Sequence, residues 1–511
     1  MVPRYPDHIQ TIPRVPRAGQ LCVCLCVLIL AVLSCTQSAR SDADPAQALA
    51  GDMENILRDP ALGSAHLGVV IDSVTTGHRL FELNGSKRFV PASNMKLFTS
   101  AAALIALTPD YRYETRVLTA GSLRSGILHG DLIIEGSGDP TISGYFNGGD
   151  PLHVFRQWTT RLKEMGVREI RGNLIIDNSA FTGQPYPTGW EIGDATNCFS
   201  ARKDAFTFNN NCIQLDITPG RGREGIRLAM EPVTGYVRLH NRLTQRQGSD
   251  QGMVGFEYTT PRTLLITGSV GTQDDTITRY VAVNHPAYFG GFVFKETLAA
   301  NGIAMKGEIV CARNCPRTID IREVRRRKTF KTAAVYRSPK LSEIIKVVNK
   351  LSNNLYAELL LFATGKVTGD DSPNAALTTL SNAGIDIAGV AMADGSGLSR
   401  HNLVTPGAIV DLLKAMAQGP YASCYIESLP VMSMDGTLGN RLTGSAAEGR
   451  IRAKTGSMTH VRSLSGFVTT KNNEILAFSI LSNNYDADVR AVDSVIDRII
   501  LRLLDHPSAE R

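Results

Sequence analysis

Several things this chain lacks narrow the field first. It holds two tryptophans in 511 residues and its aromatics amount to 6%. No stretch interleaves aromatic with basic side chains, so the stacking and charged surface that grips nucleic acid is missing. One-sided charge is missing too. The chain has 54 basic against 48 acidic residues, and four arginines and one aspartate sit in the first forty positions, leaving +3 of the formal +6 beyond them. So mild a balance does not attract a polyanion, and the cluster Arg325-Arg326-Arg327-Lys328 reads as a solvated junction. The apolar run at residues 21–33 falls short of the ~20 residues a membrane span needs. No second C-x-x-C or H-x-x-x-H pair accompanies the cysteines, so no zinc site is expected. The glycines of 220–225 follow Thr218-Pro219 without a strand-to-helix context, which makes them a turn and not a nucleotide fingerprint.

What is present begins with a leader. Arg4, Arg14 and Arg17 precede the apolar run, and small or polar residues follow it, the layout of a signal peptide over residues 1–40. Export is the expected outcome. An uncleaved anchor is the alternative, since no clean A-x-A site is visible, and Val32-Leu33-Ser34-Cys35 is a loose lipoprotein signal that would place a lipid on Cys35. Of nine cysteines, Cys22, Cys24, Cys26 and Cys35 lie in or beside the leader. Export oxidises paired thiols. Cys198 with Cys212 and Cys311 with Cys315 are the close candidates, which leaves Cys424 single.

The chemistry centres on Ser93-Asn94-Met95-Lys96. Pro91-Ala92 leads into a run rich in Ala and Leu, so Ser93 falls near a helix N-terminus with Lys96 one turn on. Residues three apart share a helix face, which lets the lysine amine reach the serine hydroxyl. A hydroxyl needs a base to become a nucleophile, and a desolvated lysine serves. Further on, Ser352-Asn353-Asn354 supplies S-x-N within a segment, 351–361, that reads as an apolar helix, and Lys454-Thr455-Gly456 supplies K-T-G ahead of a strand at 475–481. Each tripeptide is common alone. In this order and context they form the motif set of penicillin-interacting serine enzymes.

On those motifs the chain resembles the serine DD-peptidases of the penicillin-binding protein 4 type, D-alanyl-D-alanine carboxypeptidases and endopeptidases. Similar phrases recur at 130–140, 189–194, 394–400 and 435–438, so the likeness spans nearly everything after the leader. It implies a penicillin-binding-protein/β-lactamase-like fold of the α+β class, an antiparallel sheet flanked by helices with a large β-rich insertion. It implies peptidoglycan stem peptides as substrates, β-lactams as covalent inhibitors, no cofactor or metal, and a place in the periplasm or on the outer face of the cytoplasmic membrane. By the same resemblance Ser93 is the nucleophile, Lys96 its base and Ser352 the proton relay. Asn354 would hold the substrate amide, Lys454 and Thr455 the terminal carboxylate, and the N–H groups of Ser93 and Ser457 the oxyanion, with Gly456 between them. Asp194 and Met458 match the positions that receive an amino-bearing side chain of the peptide. Two alternatives share these residues: a β-lactamase, although no deacylating glutamate motif stands between Ser352 and Lys454, and a non-catalytic cell-wall module.

Spacing indicates where the extra length lies. Ser93 and Ser352 are 259 residues apart but Ser352 and Lys454 only 102, so the insertion separates the first two motifs. Apolar runs at 131–135, 172–177 and 262–268 with Gly or Pro at their margins read as strands there. The resembled family divides such a chain into a catalytic domain built from both ends, 41–118 and 329–511, a second domain from 119–197 and 290–328, and a third nested at 198–289. Helices are expected at 341–349, 351–362, 405–417 and 492–504, with strands over 451–483.

Overall fold

The computed structural model describes residues 45–220, 225–249, 252–370 and 372–506. The leader with Cys35, and residues 221–224 of the glycine-rich turn, lie outside them. Among the described residues no helix is long and apolar enough to cross a membrane.

One five-stranded antiparallel sheet runs in the order Ile451–Met458, Val461–Thr469, Ile475–Asn483, His66–Ser73, Arg79–Leu83. The middle pairing, His66 opposite Asn483 through Ser73 opposite Leu476, joins the two ends of the chain. Successive side chains of a strand point to opposite faces. Val69, Ile71, Leu476, Phe478 and Ile480 therefore bury against the helices Pro45–Leu57 and Val489–Leu504. Val70, Ala477 and Leu481 bury against the opposite layer of helices. With both faces covered, the two central strands, Ile475–Asn483 and His66–Ser73, are buried along most of their length.

At the centre of that second layer is Met95–Leu107, buried along nearly its whole length. Ala101, Ala102 and Ala103 keep it slender, so Asn354–Thr368 and Asn374–Asn382 pack closely on it. The expected helices at 341–349, 405–417 and 492–504 are Leu341–Lys350, Pro406–Gln418 and Val489–Leu504. The expected helix at 351–362 begins later. Ser352 has φ 56°, and Asn353 caps the helix that starts at Asn354 by accepting from the Tyr356 N–H. Ser352 thus stands in the turn between two helices, a geometry an apolar pattern cannot reveal.

Between the first and second motifs the strands Glu114–Arg124, Ile127–Glu135 and Lys331–Arg337 pair antiparallel, and Leu174–Asp177 and Ile309–Cys311 extend them in parallel. Helices His153–Glu164 and Pro286–Ala300 cover this sheet with Phe155, Trp158, Phe289 and Phe294. Two three-stranded sheets follow in the middle of the segment, one of Cys212–Thr218, Arg227–Glu231 and Ile277–Ala282, the other of Arg238–Arg246, Gly255–Thr260 and Thr263–Gly271. Their buried residues, Ile213, Leu264 and Ile266 among them, join the same apolar cluster. The basic run at 325–328 is more than a solvated junction. Arg325 reaches Asp177 at 2.7 Å and Lys328 pairs with Asp131, tying the returning chain to the sheet.

Disulfides join Cys198 to Cys212 and Cys311 to Cys315, and Cys424 is free and half-buried. Closing the loop between Cys198 and Cys212 restricts the unfolded chain. Non-reducing peptide mapping should recover both cross-links, and the C198S/C212S double variant should lose about 3 kcal/mol in denaturant unfolding. Recovery of both thiols in the free state from exported protein would refute the pairing.

Candidate active site

The turn before the central helix is strained into shape. Ala92 has φ 46° and opens a short 3-10 turn, Ala92–Asn94, that runs straight into Met95–Leu107. Ser93 caps nothing, so its hydroxyl is left for other work. Asn94 donates from Nδ2 to the Lys454 carbonyl at 3.0 Å, and Ser463 Oγ donates to the Pro91 carbonyl at 2.8 Å. These two bonds clamp the turn to the strands Ile451–Met458 and Val461–Thr469.

The clamp explains the third residue of K-T-G. A Cβ on Gly456 would lie 2.1 Å from Ser463 Oγ, 2.7 Å from the Pro91 carbonyl oxygen and 3.1 Å from the Ser93 nitrogen. Only a residue without a side chain lets the strand approach the Ser93 turn this closely. Gly397 plays the same part from the opposite side: it has φ 83°, and a Cβ there would meet the Ala92 carbonyl oxygen at 1.9 Å.

Lys96 is wholly buried, and its Nζ donates to Ser93 Oγ at 3.0 Å, to Asn354 Oδ1 at 2.6 Å and to the Ser396 carbonyl at 2.6 Å. Burial pushes its pKa down to about 7, while the carboxylates of Asp394 and Glu358 resist the fall. A neutral amine is therefore accessible near neutral pH, as a general base requires. Lys454 is also wholly buried and donates to Ser352 Oγ at 2.9 Å and to the Thr455 carbonyl at 2.8 Å. Burial, and then the charge of Lys96, hold it well below the ordinary lysine value. Two buried amines this close disfavour carrying a proton each, and an anion beside Lys454 is what would favour its charged form.

Ser93, Ser352, Asn354, Ser457, Met458 and Asp194 line one cleft of about 360 Å³, with Lys96 and Lys454 behind its wall. Thr455 stands on the same strand, its hydroxyl bonded to Thr437 Oγ1 at 2.8 Å. Asp194 ends the short turn Ile192–Asp194 and accepts from Asn197 Nδ2 at 3.2 Å; it is neither a helix cap nor remote from the nucleophile's cleft. The ten residues singled out from the motifs thus converge on one place.

Other residues of the site were not legible as such. In the sequence Asp394 stands out only as the first residue of the phrase 394–400. It organises its loop by accepting from the N–H groups of Gly397 and Ser399 and from the side chains of Asn402 and Trp190. Glu358, buried one turn after Asn354, carried no signal beyond being an acidic residue inside an apolar helix, which is itself rare enough to question. Arg400 rims the cleft, bonded to Glu191 at 3.1 Å and to the Thr459 carbonyl at 3.0 Å.

Gly456→Ala tests how tightly the strand must sit. It should cost about 1–3 kcal/mol in denaturant unfolding through overpacking and displace the Ser93 N–H from the cleft; unchanged stability would show that the strand can retreat freely.

The chain has known relatives. A family model described as the D-Ala-D-Ala carboxypeptidase 3 (S13) family matches residues 49–503. A D-alanyl-D-alanine carboxypeptidase of Actinomadura sp. (strain R39) is 35% identical over 473 residues, covering 89% of this chain and 84% of that relative. The D-alanyl-D-alanine carboxypeptidase DacB of Haemophilus influenzae is 25% identical, over 82% of this chain and 86% of its own. In structure, penicillin binding protein 4 (dacB) from Haemophilus influenzae superposes with a TM-score of 0.75 at 24% identity, over 88% of this chain and 98% of that one, which extends the likeness to the whole fold. With the matched region running from the first helix to the last, the chain belongs to the D-Ala-D-Ala carboxypeptidase 3 (S13) family.

Proposed function

We propose that the protein removes the terminal D-alanine of peptidoglycan stem peptides through an acyl-enzyme on Ser93, that it also opens D-alanyl cross-links, and that penicillins acylate the same serine. The observation that carries this reading is the pair of lysine–serine contacts in one cleft, Lys96 with Ser93 at 3.0 Å and Lys454 with Ser352 at 2.9 Å. One pair can generate the nucleophile and the other can return the proton. Membership in the S13 family and the curated D-alanyl-D-alanine carboxypeptidases supply the substrate class.

In this mechanism neutral Lys96 takes the Ser93 proton as Oγ attacks the carbonyl carbon of the penultimate D-alanine. The N–H groups of Ser93 and Ser457 receive the oxyanion, where fixed donors lower the barrier most. Lys454 donates to Ser352 Oγ, which leaves the Ser352 hydroxyl hydrogen free to pass to the departing amine. The C–N bond breaks, D-alanine leaves, and water attacks the ester by the reverse proton path. Lys454, with Thr455, meets the substrate's carboxylate, and the Asn354 amide orients the peptide. Action on peptidoglycan calls for export by the leader, with retention of the leader or lipidation at Cys35 as the anchored forms.

Digestion of purified muropeptides, with products identified by mass, tests the proposal. Loss of one D-alanine and scission of cross-links should both occur, and S93A should do neither and form no penicilloyl adduct. An adduct on S93A would overturn the assignment.

The acylation rate should rise about tenfold per pH unit below pH 7 and level off above it, because the base must lose its proton at a pKa of about 7. A flat profile between pH 5 and 8 would remove Lys96 from that role.

Asp194 is assigned to the ammonium of a diaminopimelate-type side chain. Asp194→Asn should then cost about 1.5–3 kcal/mol, or about tenfold to a hundredfold in kcat/KM, toward peptides bearing the free amine. Penicillin acylation should barely change, since penicillin offers no such amine; equal losses toward both would make Asp194 a structural residue.

A further inference from the structure

Three side chains surround the Lys96 amine or set the field on it: Asn354, Glu358 and Asp394. Each is bonded by the segment 190–203, which belongs to the inserted region and not to the sheet and helices that hold Ser93. Asn354 Nδ2 donates to the Phe199 carbonyl at 2.8 Å. Trp190 Nε1 donates to Asp394 Oδ2 at 2.7 Å. Lys203 Nζ lies 3.2 Å from Glu358 Oε2, and its ammonium sits 5.5 Å above the Phe181 ring.

Glu358 is the strictest of the three. Its side chain has no exposure, and its other oxygen, Oε1, accepts from the N–H groups of Gly395 at 2.9 Å and Ser396 at 2.8 Å. The same Ser396 residue offers its carbonyl to Lys96 at 2.6 Å. The carboxylate therefore anchors the backbone on the N-terminal side of the very residue whose carbonyl holds Lys96. A buried carboxylate without a counter-charge is costly, and among the described residues Lys203 is the cation paired with it.

We propose that Lys203 and Glu358 are a positioning pair for Lys96, through which docking of the segment 190–203 sets the base of the reaction. The idea rests on the acyl-enzyme reading above. Glu358 fixes the Ser396 carbonyl, and Lys203 neutralises Glu358, so the base reaches its working state only when the inserted segment is seated. The other charges that face Lys96 are Asp394, which Trp190 tempers, and Lys454 from the strand Ile451–Met458. Burial pushes the Glu358 carboxyl up, and Lys203 opposes that rise.

The test is the pH profile of acylation by a fluorescent penicillin. Glu358→Gln keeps an oxygen for the Gly395 and Ser396 N–H groups but removes the charge that favours the Lys96 ammonium, so the midpoint should fall by on the order of one pH unit. Lys203→Met leaves the buried Glu358 carboxyl without its counter-charge, so that it takes up a proton and the midpoint should fall in the same direction, with Lys203→Arg restoring it. Lys203→Gln, which keeps a donor for Glu358 but carries no charge, should lower the midpoint likewise and stands in should Lys203→Met not fold. Midpoints that stay put, or Lys203→Met shifting opposite to Glu358→Gln, would overturn the pair while leaving the acyl-enzyme intact. Wild-type protein that never labels would instead sink the acyl-enzyme reading, and the positioning pair with it.

Discussion

Everything in this enzyme turns on one buried amine. Lys96 is held by a hydroxyl, a side-chain amide oxygen and a backbone carbonyl, all acceptors, in a place water does not reach. Removing an ammonium from water costs several kcal/mol, which a protein recovers only through good hydrogen bonds and opposite charge, or by letting the proton go. Here both happen in part. Acceptors hold the amine, two carboxylates oppose the loss of its charge, and burial brings its pKa to about 7. The compromise gives a lysine that can both take and return a proton at neutral pH.

The rest of the architecture reads as the means of keeping that amine in place. The central helix carries it, and Ala101 to Ala103 let neighbouring helices approach. The edge strand passes so close that Gly456 admits no side chain. From the other side the loop of Asp394 to Gly397 folds over the nucleophile turn, its own shape set by Asp394 and Glu358. Lys454 makes the same centre doubly basic, and burial together with the charge of Lys96 keeps it from holding its proton as an isolated lysine would.

The inserted region is tied to this centre and not merely appended. Its segment 190–203 reaches the base's surroundings through Trp190, Phe199 and Lys203, and Asp194 on that segment faces the cleft. The long stretch between Ser93 and the S-x-N turn thus contributes both to the wall of the cleft and to the electrostatics behind it. Its strands have their own reason to fold, an aromatic cluster around Phe155, Trp158 and Phe294.

The sequence by itself determined the family, the motifs that meet at the cleft and much of the secondary structure. Ser93 and Lys96 needed only helical spacing to be placed together, the order of S-x-x-K, S-x-N and K-T-G named the class of site, and apolar periodicity located helices such as Pro406–Gln418 and Val489–Leu504 to within a few residues. Local rules suffice for these because their cause is local. The left-handed turn at Ser352, the tension between Lys96 and Lys454, and the roles of Glu358, Asp394 and Lys203 were decided only by tertiary structure. Glu358 and Lys203 are 155 residues apart, and Lys96 and Ser396 are 300 apart. No pattern within a window reports which distant groups will share a buried volume, and burial is what turns an ordinary carboxylate or amine into one whose charge must be answered.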